Sequence, residues 1–484
     1  MVNTENNTQG EAILPTAESI LELLKLDPDD LMSIKPLSKR IQYQAVVMWL
    51  TDYKCPQEAN DNLEIVKGYL ESFYHLGEVE DWERASKIVL IELPPTNEEL
   101  HNQLRIWGYY EESIKIYSNL LDKLDGYWNS VCLDGLGNNH SLLGKYGKGI
   151  ECLDQSLQIS KEIGNRHREG IALRNLGNPY YYMGEYHTAI YYFDQGLQIA
   201  KEIEDTNGEA TALGNLGAAY ESLGEYRKAL YYHHQHLEIS REIGNRSGEA
   251  TALGNLGVTY ESLGDYQKAI DYHQQHLQIA REIGDRSGEA YALMNLGSSN
   301  RTLGKYHIAI DCFQESLQIA REIGSRNLES RALGGLGLAY RSLREYHKAI
   351  DYHQKSLEIS RETGSRNGEV RALGNLGFAY NFLGNYDKAI NYYQESLQIA
   401  RETEERHEEL RNLAGLGFAY LFIGEYGKSI ENSKQSLQIS REMKNQYVTV
   451  TSIGNLALAY CGLIIKRVWQ FSEKLADMLK RAIP

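Results

Sequence analysis

The sequence predicts an all-α solenoid made of helix–turn–helix units, and three observations predict it. Residues 132–451 repeat one 40-residue phrase eight times, with copies beginning at Cys132, Ala172, Ala212, Ala252, Ala292, Ala332, Ala372 and Asn412 and no insertion between them. A fixed period of this length marks stacked supersecondary units. Each copy also carries two apolar runs at helical spacing, Leu213, Leu216, Tyr220 and Leu223 followed by Tyr226, Ala229, Leu230, His233 and Leu237. Glycines punctuate both runs, Gly224 between them and Gly244 after them, where a residue without a Cβ ends a helix at little cost. One such pair cannot bury its apolar face alone, so neighbouring copies must stack.

Taken in order, residues 1–14 form a polar tail without the basic and apolar regions of a signal peptide, and they are expected to be disordered. Without secretion, the Asn-x-Ser/Thr matches at Asn6, Asn139, Asn245 and Asn300 carry no glycan meaning. Residues 15–131 read as a helical N-terminal region. Thr16 caps Ile20–Leu26, Pro28 and Pro36 punctuate, and Ile41–Leu50 is a second apolar stretch. Two worn copies of the repeat follow. One keeps Leu76, Gly77, Trp82 and Ala85 and is broken by Pro94 and Pro95; the other keeps Gly108, Tyr110 and Ile114. Terminal units are expected to be atypical because one face meets no neighbour.

Within the regular copies, Asn245 and Asp285 are placed to cap the next helix, while Arg241 and Glu249 suit the helix dipoles. Gly217 and Ala229 are small enough for two backbones to approach. Pro179 is predicted to kink its helix, and Arg344 stands where other copies have the turn glycine. Residues 452–484 read as a partial repeat and a C-terminal capping helix over the last apolar face. Lys466, Arg467, Lys474, Lys480 and Arg481 leave membrane-surface binding as the competing reading of that segment.

The pattern Leu216, Gly217, Tyr220, Leu223, Gly224, Tyr226 and Ala229 resembles the tetratricopeptide repeat, whose common period is 34 residues. The longer copies here are similar to adaptors of the LGN/Pins type and to long bacterial tetratricopeptide arrays. The resemblance implies a right-handed superhelix whose first helices line the concave side, and a function in protein binding.

Composition narrows the function classes. A formal net charge of −16 argues against nucleic-acid binding, which needs a basic face. The five cysteines (Cys55, Cys132, Cys152, Cys312, Cys461) have no CxxC spacing and read as reduced residues of a cytoplasmic protein. No phosphate-binding GxxxxGK[ST], GxSxG or HExxH motif occurs, so neither an enzyme nor a cofactor is expected. The i, i+3 pairs His233/His236 and His273/His276 lack a recurring carboxylate and read as packing residues rather than metal ligands.

The candidate site lies on the first helices. Asparagine precedes the consensus leucine at Asn175, Asn215, Asn255, Asn295, Asn375 and Asn455, with breaks at Gly335 and Gly415. Asparagine is a poor choice for a helix interior, and an amide both donates and accepts, which suits clamping an extended peptide backbone. In the adaptors that the chain resembles, and in kinesin light chains, asparagines at this place do that. One turn earlier stand Arg331, Arg371 and Arg411; six residues later stand Glu221 and Glu261, then Arg301, Arg341 and Asn381. The face is therefore expected to run from acidic to basic, with Phe378, Phe382, Phe418 and Phe422 as apolar anchors at the basic end. The expected function is a non-enzymatic scaffold or adaptor binding an acidic partner segment, with no nucleic acid, membrane or metal involved. The alternative is a sensor or regulatory subunit whose N-terminal region docks on an effector enzyme or ATPase.

Overall fold

The computed structural model describes residues 14–54, 62–94, 98–403, 405–443 and 445–482, without the side chains of 475–477 and 479–482. Of the expected tail at 1–14 only Leu14 is described, and Cys55, Pro95 and the side chains of Lys480 and Arg481 lie outside the described residues.

Thr16 caps the first helix as its position suggests: its hydroxyl accepts from the Ser19 amide at 3.2 Å at the start of α1 (Ala17–Leu24). Next come α2 (Leu37–Thr51), α3 (Asn62–Glu78), α4 (Trp82–Val89), α5 (Leu100–Trp107) and α6 (Tyr110–Leu120). The worn copies correspond to α3–α4 and α5–α6. A two-residue antiparallel ladder, β1 (Glu92–Leu93) with β2 (Glu98–Glu99), joins them, an exception to the all-helical expectation.

The regular array follows as hairpins: α7 (Gly126–Leu142) with α8 (Tyr146–Glu162), α9 (Arg166–Tyr182) with α10 (Tyr186–Glu202), α11 (Thr206–Ser222) with α12 (Tyr226–Glu242), and α13 (Arg246–Ser262) with α14 (Tyr266–Glu282). Then come α15 (Arg286–Thr302) with α16 (Tyr306–Glu322), α17 (Arg326–Ser342) with α18 (Tyr346–Glu362), α19 (Arg366–Phe382) with α20 (Tyr386–Glu402), and α21 (Arg406–Phe422) with α22 (Tyr426–Glu442). The last helix is α23 (Gln446–Ala482). The period is the expected one, but the hairpin starts six residues before each copy counted from its alanine, because the cap at Asn245 opens the helix at Arg246. Asn245 Oδ1 accepts from the Gly248 amide and Asp285 Oδ1 from the Gly288 amide, both at 2.8 Å. Gly224 (φ 76°) and Gly244 (φ 68°) adopt the left-handed conformation, and Arg344 is forced into it at φ 63°. Helix α9 continues through Pro179 to the same 17-residue length as its equivalents.

The chain divides into two compact units, Met1–Gly288 and Glu289–Pro484. In the first, α7, α9, α11 and α13 each touch the next in that series; in the second, α17, α19, α21 and α23 do likewise. Consecutive second helices make no comparable contact among the described residues, so the first helices form the closely spaced inner wall of each unit. Leu213, Leu216, Ala219 and Ala229 are nearly or wholly buried between them.

Two packing details differ from expectation. Gly217 makes room for a ring rather than a backbone: a Cβ there would lie 2.4 Å from His233 Cε1. Arg241 and Glu249 are not merely dipole partners; they form an ion pair at 2.7 Å, and Arg246 bridges Glu249 to Glu282 of the following second helix. Arg326, Arg366 and Arg406 repeat that bridge, tying the first helix of each hairpin to its second.

The partial repeat and the segment after it form one helix, with no turn between them. In earlier copies Gly424 and Tyr426 make the turn; here Ile464 and Lys466 occupy those places, so no left-handed residue stops the helix. Helix α23 runs on as one element, and Ile464, Ile465, Val468, Trp469 and Phe471 are 60–69% exposed.

Candidate partner-binding site

The asparagine positions lie on the first helices, and they divide into two kinds. Asn215, Asn255 and Asn295 are half-buried, and their amides make no hydrogen bond among the described residues. Asn375 and Asn455 are buried and engaged: Asn455 Nδ2 donates to the Ala414 carbonyl at 3.3 Å, and Asn375 Oδ1 accepts from two arginines. The ladder breaks at Gly335 and Gly415 for a steric reason. A Cβ there would lie 2.6 Å from the Phe313 ring and 2.3 Å from the Tyr393 ring, which reach across from the preceding second helices.

The basic positions are brought together only in part. Arg331 lies exposed over the Tyr291 ring at 5.0 Å, and Arg371 Nε donates to the Asn367 carbonyl at 3.1 Å. The convergent group is Arg341, Asn375, Phe378 and Arg411. Arg341 Nη1 and Arg411 Nη2 donate to the same Asn375 oxygen at 3.4 and 3.3 Å. The Arg341 guanidinium sits 4.5 Å from the Phe378 ring centre. Arg411 is paired with Glu408 at 2.9 Å, whereas Arg341 has no carboxylate within ion-pair distance among the described residues. Burial, then the charges of Arg411 and Arg301, pull the Arg341 pKa down to about 10. Two guanidiniums share one neutral oxygen, and only Arg411 has a carboxylate beside it, so the positive charge of Arg341 is met by no anion among the described residues.

The phenylalanines form a stack beside it. Ring centres are 4.6 Å apart for Phe378–Phe382 and for Phe418–Phe422, with 6.5 Å between Phe382 and Phe418. Phe382 and Phe422 remain more than half exposed. The expected acidic stretch is not free. Glu221 accepts from Thr259 at 3.0 Å and Ser262 at 3.2 Å, and burial raises its pKa; Glu261 lies 3.8 Å from His273 Nε2. These acids serve contacts within the array, which corrects the expected acidic-to-basic gradient.

His233, His273 and His353 are wholly buried, and burial drives each pKa down to about 3, so the rings are neutral packing groups. Among the described residues no group of three or more His, Cys, Asp or Glu is arranged to hold a metal ion.

Sequence reasoning missed one polar centre. Asp134 is buried and accepts from Arg168 Nη2, while Arg168 Nε donates to Ser130 Oγ at 2.9 Å. Burial pushes the Asp134 pKa up to about 6, against the opposing pull of Arg168 and of hydrogen bonds from Ser156 and Asn175. The group borders a cavity of about 560 Å³ whose wall includes His101, Arg105, Trp128, Asn138, Asn175 and Tyr182. The signal was present: Asp134 and Arg174 interrupt a column of small residues (Gly214, Gly254, Gly334, Gly374), and Arg168 interrupts a column of glycines (Gly208, Gly248, Gly288, Gly368).

The tetratricopeptide repeat family model matches residues 129–202, 208–282, 288–362 and 369–442, more than half of the chain. No curated protein matches it. Among solved structures, the chain is similar to a Rap protein complexed with competence and sporulation factor (16% identity, 71% of this chain and 99% of that one, TM-score 0.50). The quorum sensor NprR from B. thuringiensis, in its apo form, matches with 15% identity over 78% of this chain and 99% of that chain, TM-score 0.50. A signal transduction ATPase with a tetratricopeptide repeat sensor from Pyrococcus horikoshii matches with 16% identity over 94% of this chain and 66% of that chain, TM-score 0.50. These likenesses show the fold. The chain belongs to the tetratricopeptide repeat family.

Proposed function

We propose that the chain is a non-enzymatic cytoplasmic scaffold that holds an acidic segment of a partner protein on its inner walls. The observation that carries the reading is Arg341, a largely buried guanidinium whose hydrogen-bond acceptor is the neutral amide oxygen of Asn375, shared with Arg411. A carboxylate entering there replaces a neutral acceptor with a charged one, and Phe382 and Phe422 supply apolar contact beside it. In the first unit, the amides of Asn215 and Asn255 are free to bond an extended backbone, each bond contributing about 1 kcal/mol. Affinity therefore depends on several copies acting together.

The test is a peptide library with Asp and Glu varied, screened against wild type and Arg341→Gln. Binders should carry a carboxylate and lose roughly tenfold or more in affinity to the variant, the range for charge-assisted bonds. Binders indifferent to both charge and variant would sink the proposal. A regulatory reading is favoured by one observation: the Asp134 cavity is walled both by the N-terminal region (His101, Arg105) and by the array (Asn138, Asn175). If that reading holds, filling the cavity with Asn138→Trp should change effector response while segment binding survives.

A further inference from the structure

The exposed apolar face of α23 is independent of the proposed peptide site. Over its first half, Val448, Ser452, Asn455 and Ala459 are buried against the array, and Tyr447, Val450 and Leu458 look away from it, 59–81% exposed. Beyond Leu463 the helix continues past the point where its equivalents turn. At 100° per residue, Ile464, Ile465, Val468 and Phe471 prolong the same outward stripe, with Trp469 at its edge. Lys466, Arg467, Gln470, Glu473 and Lys474 take the opposite side, the side on which the array sits. Three cations against one carboxylate stand on this stretch of a chain whose net charge is −16.

We propose that α23 lies in the plane of an anionic phospholipid surface, with its outward stripe among the acyl chains and Lys466, Arg467 and Lys474 reaching the headgroups. An in-plane helix of this type needs an apolar face, a basic polar face and an aromatic residue at the boundary, and all three are present. Residues Gln446–Lys474 are long and apolar enough to cross a membrane by length and composition. Crossing, however, would strip the buried face at Ser452 and Asn455 from the array, including the Asn455–Ala414 hydrogen bond. A second copy of the chain on the same stripe would bring two basic flanks together; an anionic surface offers the opposite charge.

The test uses the full chain and sedimentation with phosphatidylcholine vesicles, with and without phosphatidylserine. Binding should require phosphatidylserine and weaken as salt rises. Lys466→Gln with Arg467→Gln should reduce partitioning about twenty-five-fold, from about fivefold per cation near such a surface. Trp469→Ser should reduce it at least about tenfold by removing the buried ring. All three residues are exposed, so the variants retain the fold. Equal binding to pure phosphatidylcholine, insensitivity to the Lys466/Arg467 variant, or a stable dimer that ignores vesicles would each overturn the proposal.

Discussion

Gly217→Ala separates two opposing effects at one atom. In an open helix interior, alanine is favoured over glycine by about 1 kcal/mol. Here the added Cβ would lie 2.4, 2.5 and 2.8 Å from three atoms of the His233 ring, which is wholly buried and has no open side to move into. Overpacking of this kind costs about 1–3 kcal/mol, so the net effect should be a loss of up to about 2 kcal/mol. The sign should reverse once the ring is gone: in a His233→Ala background, Gly217→Ala should regain about 1 kcal/mol. Gly214 is a control, because its Cβ would lie 3.0 Å from His236 and a shift of a few tenths of an ångström relieves it. Solenoids unfold by neighbouring units rather than as a whole, so hydrogen exchange of α11 and α12 amides is the measurement, not a single melting temperature. A stabilising Gly217→Ala in the wild-type background, or the same effect in both backgrounds, would refute the ring-packing argument.

Other expectations follow from the same packing. His233, His273 and His353 titrate near pH 3 when folded instead of 6.5, so the unfolded chain takes up protons first as pH falls. Stability should be complete above about pH 6.5 and fall toward pH 3 by about 1.4 kcal/mol per unit for each histidine; a His273→Gln variant should lose one share of that slope in urea titrations at stepped pH. Arg344→Gly, which relieves a left-handed non-glycine residue at φ 63°, should slow amide exchange in α17 and α18 by about 1 kcal/mol in opening free energy.

What the sequence disclosed was mostly local. The turns at Gly224 and Gly108 and the cap at Asn245 depend on residues a few positions apart, and they are where the pattern put them; Gly77 instead stays helical, and Glu80 takes the left-handed turn at φ 59°. The asparagine ladder read as uniform because its fate is decided at a distance. Asn375 is consumed by residues 34 and 36 positions away, and Asn455 by one 41 away. Glu221 looked free for the same reason, since its partners Thr259 and Ser262 belong to the next copy. The Asp134–Arg168 pair and the run-on of α23 were legible as departures from a column, at Asp134 and Ile464, but only when columns rather than copies are compared. Ring size at Phe313 and Tyr393 against Gly335 and Gly415 is a coupling that one sequence does not display.

Arg341 bears on whether the array favours stability or binding at its inner wall. Burial and the neighbouring arginines draw its pKa down from the ordinary arginine range to about 10, a disfavouring of the folded cation by about 3 kcal/mol. Stacking on Phe378 returns about 1–2 kcal/mol, and the 3.4 Å bond to Asn375 adds little. The remainder is a net destabilisation of about 1–2 kcal/mol at neutral pH, since the cation persists in both folded and unfolded states. Arg341→Met keeps the stem's packing and removes the charge, so it should stabilise α17–α20 by that amount while abolishing binding of acidic peptides. A less stable Arg341→Met at neutral pH would mean that the guanidinium is a structural strut, and the case for an anion pocket at this position would fall with it.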